Sequence, residues 1–280
     1  MSDTNPTAAS EEPLVRERHG RVELLRLNRP AARNAIDGPT SIALGLALEE
    51  LASDDDVWVV VLTGTGDKAF SAGMDLKAFV SGQAGDIMSV EHGFANIARR
   101  RFSKPIIAAV NGVALAGGCE IVLSCDLVVA AHHAAFGIPE VKRGLVAAGG
   151  GLLRLHQRIP YSIALELALT GETISAQRAA ELGFVNRLVP ADRVVPEALA
   201  LAEKICENAP LAVRASKEIM RRSVGLSDDA AWDMNTELIG PIFTSKDAME
   251  GATAFAEKRP PSGQVPDLVG LIRAGRRARR

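Results

Sequence analysis

Hydrophobic positions in the first half of the chain form short, uninterrupted runs that are separated by polar turns. Residues 57–62, 106–110 and 127–131 are apolar throughout, and residues 22–27 alternate in part before an Asn-Arg-Pro turn. Runs of this length predict strands that are buried on both faces. Helical spacing lies between them, at 39–53 and at 117–124. This alternation predicts an α/β fold with a largely parallel sheet and right-handed connections.

Helical periodicity dominates the second half of the chain. It covers residues 163–169, 175–182, 194–208, 211–222 and 229–243. Residues 184–189 form the last predicted strand. We therefore divide the chain into an α/β core at 14–200 and a helical region at 201–260. The polar, acidic segment 1–13 is predicted to be disordered, and the arginine-rich segment 261–280 is predicted to be a solvated tail.

Composition narrows the classes of protein that fit this pattern. The chain has 280 residues, 47% of them hydrophobic and 4% aromatic, so its core must be largely aliphatic. The 32 basic and 34 acidic side chains nearly cancel, which gives no reason to expect nucleic acid binding. No apolar run is long enough for a membrane-spanning helix, and we expect no membrane partner. The three cysteines predict free thiols in a cytoplasmic protein, and the N-terminus does not resemble a signal peptide.

Two loops that follow predicted strands could present backbone amides to a ligand. In the segment KAFSAGMDL, at 68–76, Gly73 can adopt angles that turn the Met74 amide outward. In the segment NGVALAGGCE, at 111–120, Gly117 opens a predicted helix whose free N–H groups can stabilise an oxyanion. Taken alone, each segment could equally be an ordinary connection between a strand and a helix.

Two glutamates near these loops are candidates for acid–base chemistry. Glu120 lies in the first turn of the predicted helix, and Glu140 follows a proline in the segment FGIPE. Taken singly, the first could simply complement the helix dipole and the second could be solvated in a turn. The glycine-rich stretch AGGGLLRL, at 148–155, predicts either a close-packed helix start against a ligand or a flexible loop.

Other kinds of site find little support in the sequence. The Gly-Thr-Gly at 64–66 lacks the third glycine of a dinucleotide-binding motif, and no Gly-x-Ser-x-Gly is present. The spacing of Cys119, Cys125, His132 and His133 matches no common zinc site. We therefore expect neither a metal nor a cofactor.

In their order and spacing, these motifs together resemble the enoyl-CoA hydratase/isomerase family, also called the crotonase superfamily. The resemblance runs from about residue 15 to residue 261. Besides the two loops and the two glutamates, it takes in further segments: 28–30, 34–35, 169–176, 180–185 and 255–259. The chain departs from common hydratases at 147–155, where AAGGGLLRL replaces Pro-Gly-x-Gly-Gly-Thr-Gln-Arg-Leu. In this departure it resembles atypical members of the carnitinyl-CoA dehydratase type.

The resemblance implies a spiral of ββα units, followed by helices that mediate assembly into a homotrimer or a dimer of trimers. It implies that an acyl-CoA thioester is the substrate and that its carbonyl oxygen is held by the amides of Met74 and Gly117. It also implies that Glu120 and Glu140 act as the paired acid and base. Further residues match positions that bind substrate or CoA: Arg33, Ala72, Asp75, Leu76, Lys77, Ala148, Phe255 and Lys258.

The function that the resemblance implies is the reversible addition of water to a 2-enoyl-CoA thioester. Three alternatives stay open: an enoyl-CoA isomerase that uses one glutamate, a dehydratase of the carnitinyl-CoA type, and a catalytically silent acyl-CoA-binding protein. The presence of both glutamates favours addition or removal of water over movement of a double bond.

Overall fold

A computed structural model describes residues 12–259 of the protein. Most of the predicted N-terminal segment and the predicted tail at 261–280 lie outside the described residues. The strands are β1 (Leu14–His19), β2 (Val22–Leu27), β3 (Val59–Gly64), β4 (Ala69–Ser71), β5 (Met88–Ser89), β6 (Gly93–Phe94), β7 (Ile106–Val110), β8 (Val113–Leu115), β9 (Leu127–Ala131), β10 (Ala135–Gly137), β11 (Thr173–Ser175) and β12 (Arg187–Val189). The helices are α1 (Gly38–Ser53), α2 (Leu76–Ala78), α3 (Ala84–Ile87), α4 (Gly117–Ser124), α5 (Gly151–Arg158), α6 (Tyr161–Thr170), α7 (Ala176–Glu181), α8 (Val194–Cys206), α9 (Pro210–Ser223), α10 (Asp228–Phe243) and α11 (Lys246–Glu257).

The larger sheet has the strand order β1-β2-β3-β7-β9-β12. The β1–β2 pair is antiparallel and every other pair in this sheet is parallel. Every residue of β3 and β7 is buried. Both helix α8 and strand β4 of the smaller sheet pack against these strands. The predicted parallel sheet of doubly buried strands is thereby confirmed.

The smaller sheet has the order β11-β10-β8-β4 and lies beside the larger one. Three times along the chain, a strand of the larger sheet leads into a strand of the smaller sheet and then into a helical segment. The repeats are β3-β4-α2, β7-β8-α4 and β9-β10, the last followed by a 3-10 turn at Pro139–Arg143. This repetition is the spiral of ββα units that the resemblance implies, and the predicted fold class is confirmed.

The structure corrects several of the predicted element boundaries. The strand predicted at 57–62 is formed at Val59–Gly64, because its pairing with β2 begins where Val22 lies opposite Val59. The strand predicted at 184–189 is formed only at Arg187–Val189, because the amides of Phe184 and Val185 bond the carbonyl of Ala179 and close the preceding helix. The helix predicted at 175–182 begins one residue later, because Ser175 is its N-cap and accepts a hydrogen bond from the Arg178 amide.

The C-terminal helices follow one another as a chain of contacts, with α9 against α10 and α10 against α11. Met234 and Leu238 of α10 are buried. Several large apolar side chains on this region are exposed instead: Trp232, Phe243, Met249 and Phe255. Among the described helices, none combines the length and the apolar character that a membrane span requires.

Candidate active site

The loop after β4 presents the Met74 amide without using it in the local backbone structure. Gly73 has φ +88, in the left-handed region, and its amide bonds the Ser71 hydroxyl at 3.1 Å. A parallel bridge joins Met74 to Ile36 through the Gly73 carbonyl at 2.8 Å and the Asp75 amide at 2.9 Å. Neither of these bonds involves the Met74 amide, and the role predicted for this amide in binding a ligand stays a prediction.

The second loop presents the Gly117 amide at the start of α4. Ala116, the N-cap, has φ 52 and ψ −128, a strained conformation for a residue with a side chain, and its amide bonds the Gly137 carbonyl at 2.9 Å. A Cβ placed on Gly73 would lie 2.7 Å from the Gly117 nitrogen. The two loops therefore touch, and the structure brings together the two amides that the sequence predicts as an oxyanion hole.

Close packing explains why two consecutive glycines open α4. A Cβ on Gly117 would lie 2.4 Å from the ring of Phe94, and a Cβ on Gly118 would lie 2.1 Å from the Ser71 carbonyl oxygen. Neither backbone nor a buried ring can give way by the required amount. The glycines thus allow the start of α4 to approach both β4 and Phe94. Phe94 forms part of the wall of the site, and sequence analysis did not identify it.

Glu120 lies in the first turn of α4 and is only 3% exposed. Its Oε1 accepts a hydrogen bond from the Gly151 amide at 2.8 Å. Burial raises the pKa of Glu120 to about 7, and the charge of Glu140 adds to this rise while the Gly151 hydrogen bond opposes it. At neutral pH this carboxyl can therefore both accept and donate a proton.

Glu140 lies in the 3-10 turn that follows β10 and is half-buried. Its Oε2 is buried and finds no hydrogen-bond partner among the described residues. Burial also raises the pKa of Glu140. Strand β8, which leads into the helix of Glu120, pairs in parallel with β10, which leads into the turn of Glu140, and Leu115 lies opposite Gly137. The structure thus brings the two predicted glutamates into one site.

The glycine-rich stretch contacts Glu120 through residues that sequence analysis did not single out. A Cβ on Gly149 would lie 2.6 Å from Glu120 Oε2, and a Cβ on Gly151 would lie 3.1 Å from Oε1. Ala148 is exposed. The run of three glycines before a helix was the available signal, but the sequence alone does not show which of them faces the carboxylate. The role predicted for Ala148 stays a prediction.

Arg33 lies beside a surface cavity of about 290 Å³ that is also lined by Lys68. The Arg33 carbonyl accepts a hydrogen bond from the Ala72 amide at 3.0 Å, which joins the cavity to the loop that carries Met74. Two cationic side chains that line one cavity suit a ligand that has an anionic part.

The side chain of Asp75 already has several partners within the protein. It accepts hydrogen bonds from the amides of Lys77, at 3.0 Å, and Ala78, and it forms an ion pair with Arg29 at 3.0 Å. These bonds cap α2 and lower the pKa of Asp75 against the opposing effect of burial. Leu76 and Lys77 are exposed beside it. Asp75 therefore shapes the loop, whereas the next two side chains are open to solvent.

Phe255 and Lys258 lie at the C-terminal end of the chain of helices. Phe255 is 87% exposed, and Lys258 has φ 54 at the end of α11. Helix α11 packs mainly on α10, so within one chain these two residues are not brought to the glutamates.

The described residues contain no group of three or more His, Cys, Asp or Glu side chains arranged to hold a metal ion. Cys119, Cys125 and Cys206 are free thiols, the first two of them buried.

Comparison with known proteins identifies the family to which this arrangement of amides and carboxyls corresponds. The profile of the enoyl-CoA hydratase/isomerase family matches residues 17–264. The chain belongs to this family. The resemblance noted from the motifs is thereby confirmed over nearly the whole length of the described residues.

Relatives in this family include enzymes of three named activities. A carnitinyl-CoA dehydratase of Salmonella arizonae is 40% identical over 255 residues, which cover 89% of this chain and 97% of the relative. An enoyl-CoA hydratase from Mycobacterium marinum is 50% identical, with a TM-score of 0.88 over 90% of this chain and 99% of its own. A carnitinyl-CoA hydratase from Mycobacterium avium is 47% identical, with a TM-score of 0.72 over 90% and 98% of the two chains.

Proposed function

We propose that this member of the family is an enoyl-CoA hydratase, which adds water reversibly to the double bond of a 2-enoyl-CoA thioester. The observation that carries the proposal is the pair of carboxyl groups with raised pKa values, Glu120 and Glu140, in one site. The touching loops that present the Met74 and Gly117 amides complete the set of groups that the reaction needs. No metal or other cofactor has a part in the proposed reaction.

The two amides would stabilise the charge that develops on the thioester oxygen. When water attacks the β-carbon, electrons move through the α-carbon to the carbonyl oxygen, which gains enolate character. Donors that are already fixed in place, such as the Met74 and Gly117 amides, stabilise this charge more than they stabilise the neutral carbonyl. Loss of one such donor typically lowers kcat by about 100-fold or more.

The two carboxyls would move the protons. One ionised carboxylate removes a proton from water as the oxygen bonds the β-carbon, and one protonated carboxyl supplies a proton to the α-carbon. The charge of Glu140 raises the pKa of Glu120, which favours a state in which the pair holds one proton, the state that the reaction requires. We assign the proton to the pair rather than to one member.

The CoA portion would bind across the cavity beside Arg33. The guanidinium of Arg33 and the ammonium of Lys68 line this cavity, and both can pair with phosphate groups. Lys77, which is exposed three residues after Met74, is proposed as a third cation for the same ligand. Arg33, Ala72, Leu76 and Lys77 thus remain proposed contacts of the substrate.

Assembly into trimers or dimers of trimers also belongs to this proposal. The exposed apolar side chains of the C-terminal helices, such as Trp232 and Phe243, support it because large patches of this kind mark association surfaces. In an assembly, Phe255 and Lys258 would be placed to reach a neighbouring subunit's ligand. The mass of the native particle in solution tests this part. A cytoplasmic location, for which the free thiols give support, is proposed as well.

Single substitutions of the two glutamates test the proposed reaction. Hydration of a panel of 2-enoyl-CoA thioesters is followed by loss of the conjugated thioester absorbance, in the wild type and in Glu120→Gln and Glu140→Gln. We expect each substitution to lower kcat by about 100- to 10,000-fold. Glu166→Gln, on an exposed face of α6, is the matched control and should leave the rate unchanged.

Each other outcome of this experiment identifies a different function. Hydration that survives the loss of either glutamate contradicts the two-carboxylate mechanism. Movement of a double bond that needs only one glutamate identifies an isomerase. Binding of CoA thioesters without turnover across the panel identifies a silent binding protein.

A dehydratase acting on carnitinyl-CoA is the second candidate. The named activities of the relatives from Salmonella arizonae and Mycobacterium avium favour it, together with Leu152 and Leu153 in place of the usual Thr-Gln pair. Loss of water from carnitinyl-CoA creates a conjugated thioester, so the same absorbance follows the reaction in the opposite direction. A kcat/KM for carnitinyl-CoA well above that for unbranched substrates would select this candidate.

A further inference from the structure

Arg154, on the second turn of α5, joins three separate segments around Glu120. Its Nη1 lies 3.4 Å from the Gly149 carbonyl oxygen and 3.5 Å from the Ser124 hydroxyl, and its Nη2 bonds the Ala98 carbonyl oxygen. This half-buried guanidinium has no role in the reaction as proposed above. Its hydrogen bonds suit a group that fixes the geometry of its neighbours, because a guanidinium presents several donors in one rigid plane.

Two of the three segments that Arg154 joins, the 149–151 loop and α4, hold Glu120. Gly150, between the two glycines that flank the carboxylate, has φ +99, and a Cβ there would lie 2.2 Å from Arg154 Nη1. The guanidinium therefore packs directly on the backbone of the 149–151 loop, whose last amide bonds the carboxylate. On the other side, the Ser124 hydroxyl donates to the Glu120 carbonyl at 2.8 Å.

We propose that Arg154 is a positioning residue for Glu120, which holds the 149–151 loop against the carboxylate and keeps a fixed positive charge beside it. This inference rests on the proposed function, because it serves the acid–base role of Glu120. Arg154 itself need not touch the substrate.

The charges around Glu120 and Arg154 determine in which direction the pKa of Glu120 should shift when Arg154 is removed. Glu120 faces the like charge of Glu140 and the opposite charge of Arg154, and the latter lowers the pKa of Glu120. Arg154 faces Glu120, two further cations, Arg158 and Arg221, and the thiol of Cys125. Burial lowers the pKa of Arg154, but a guanidinium stays charged across the working range of pH. Removing Arg154 should therefore raise the pKa of Glu120.

Arg158 provides a matched control one turn further along the same helix. It is half-buried like Arg154 and also bonds two backbone carbonyls, those of Cys125 at 2.5 Å and Asp126 at 3.2 Å. It bonds neither the glycine loop nor Ser124. Arg158→Gln therefore loses similar packing and hydrogen bonds without changing the surroundings of Glu120.

The experiment measures the protonation of Glu120 in the purified full-length protein by two methods. The first is the infrared band of a protonated carboxyl, followed over pH and assigned by its loss in Glu120→Gln. The second is the dependence of kcat/KM on pH. In Arg154→Gln we expect both midpoints to rise, by up to about one pH unit, with a lower kcat, because a nearby opposite charge lowers the pKa of a carboxyl. Arg158→Gln should keep the wild-type midpoints.

A midpoint that does not move in Arg154→Gln, or that moves equally in Arg158→Gln, overturns the inference. If Arg154→Gln does not fold, Arg154→Lys replaces it, because lysine keeps the charge but cannot bridge the same carbonyls. The midpoint should then rise less while kcat still falls, and wild-type values for both would overturn the inference. The infrared titration needs no turnover, so absence of hydration in the wild type contradicts the proposed function without deciding the role of Arg154.

Discussion

The two glutamates of the site lie in contrasting surroundings. Glu120 is enclosed by a helix start, a glycine loop and Phe94, and one of its oxygens is bonded to the Gly151 amide at 2.8 Å. Glu140 lies on a short turn, and its Oε2 has no hydrogen-bond partner among the residues that the structure describes. One carboxyl is held in place by the protein, and the other has an oxygen that is left for a substrate or a water molecule.

This difference teaches how two identical side chains can take different parts in one reaction. A group held by backbone amides keeps its geometry whether or not a ligand is bound. A buried oxygen without a partner carries a cost in free energy that a bound water or substrate relieves. We therefore expect disturbance of the glycine loop to act through Glu120, and expect the contribution of Glu140 to stability to be small.

Among substitutions outside the two glutamates, the largest effect should come from a side chain placed between the glycine loop and Glu120. In Gly149→Ala the new Cβ would lie 2.6 Å from Glu120 Oε2 and 3.0 Å from the Phe94 Cβ, so the carboxylate must move. We expect kcat for hydration to fall by about 100-fold, because displacement of a reacting group by about 1 Å costs this much. Gly85→Ala on α3, where nothing lies within 4 Å of the added Cβ, is the control. Full activity in Gly149→Ala would show that Glu120 is not held as described.

The second-largest expected effect is a dependence of the free energy of unfolding on pH. The pKa of Glu120 rises from 4.5 to about 7 on folding. The stabilisation that the protonated carboxyl gives to the folded protein is therefore fully present below pH 4.5 and is lost as the pH rises to 7. The loss amounts to about 3 kcal/mol. The free energy of unfolding of Glu120→Gln should therefore rise relative to that of the wild type, by up to this amount, between pH 4.5 and pH 8.

Urea unfolding at several pH values and one protein concentration measures this gain. Glu140→Gln is the comparison: its gain should have the same sign, because burial also raises the pKa of Glu140, but it should be smaller since Glu140 is only half-buried. If the difference in the free energy of unfolding between Glu120→Gln and the wild type stayed constant over pH, it would contradict the raised pKa of Glu120.

The sequence predicted the buried strands of the larger sheet, although β3 begins and ends two residues later than predicted. Strands β2, β7 and β9 were predicted at their observed bounds, and α4 was predicted from Gly117 to Ser124. The strands of the smaller sheet were not predicted, because each has only three residues and no periodicity can be recognised over that length.

The candidate site was predicted as a set of motifs, whereas its supporting contacts were not. Motif spacing identified Met74, Gly117 and the glutamates, and their roles stay predictions. The strained backbone of Ala116 has no sequence signal, because a glycine is the residue expected at φ 52 and ψ −128. The contacts of Gly149 and Phe94 with the site join segments that are distant in the chain, and one sequence does not show such pairs.

The smallest expected effect is a difference in the free energy of unfolding between variants of the two glutamates. It is measured at pH 5, where burial keeps Glu120 protonated. In Glu120→Met the Gly151 amide loses its acceptor, and a buried amide without a partner costs about 1–3 kcal/mol. In Glu140→Met the lost Oε2 had no partner among the described residues, so we expect the free energy of unfolding to change by less than about 1 kcal/mol. Urea unfolding of both variants gives the difference directly. Equal losses would mean that both carboxyls are held by the protein, and the contrast between them would then lie in chemistry alone.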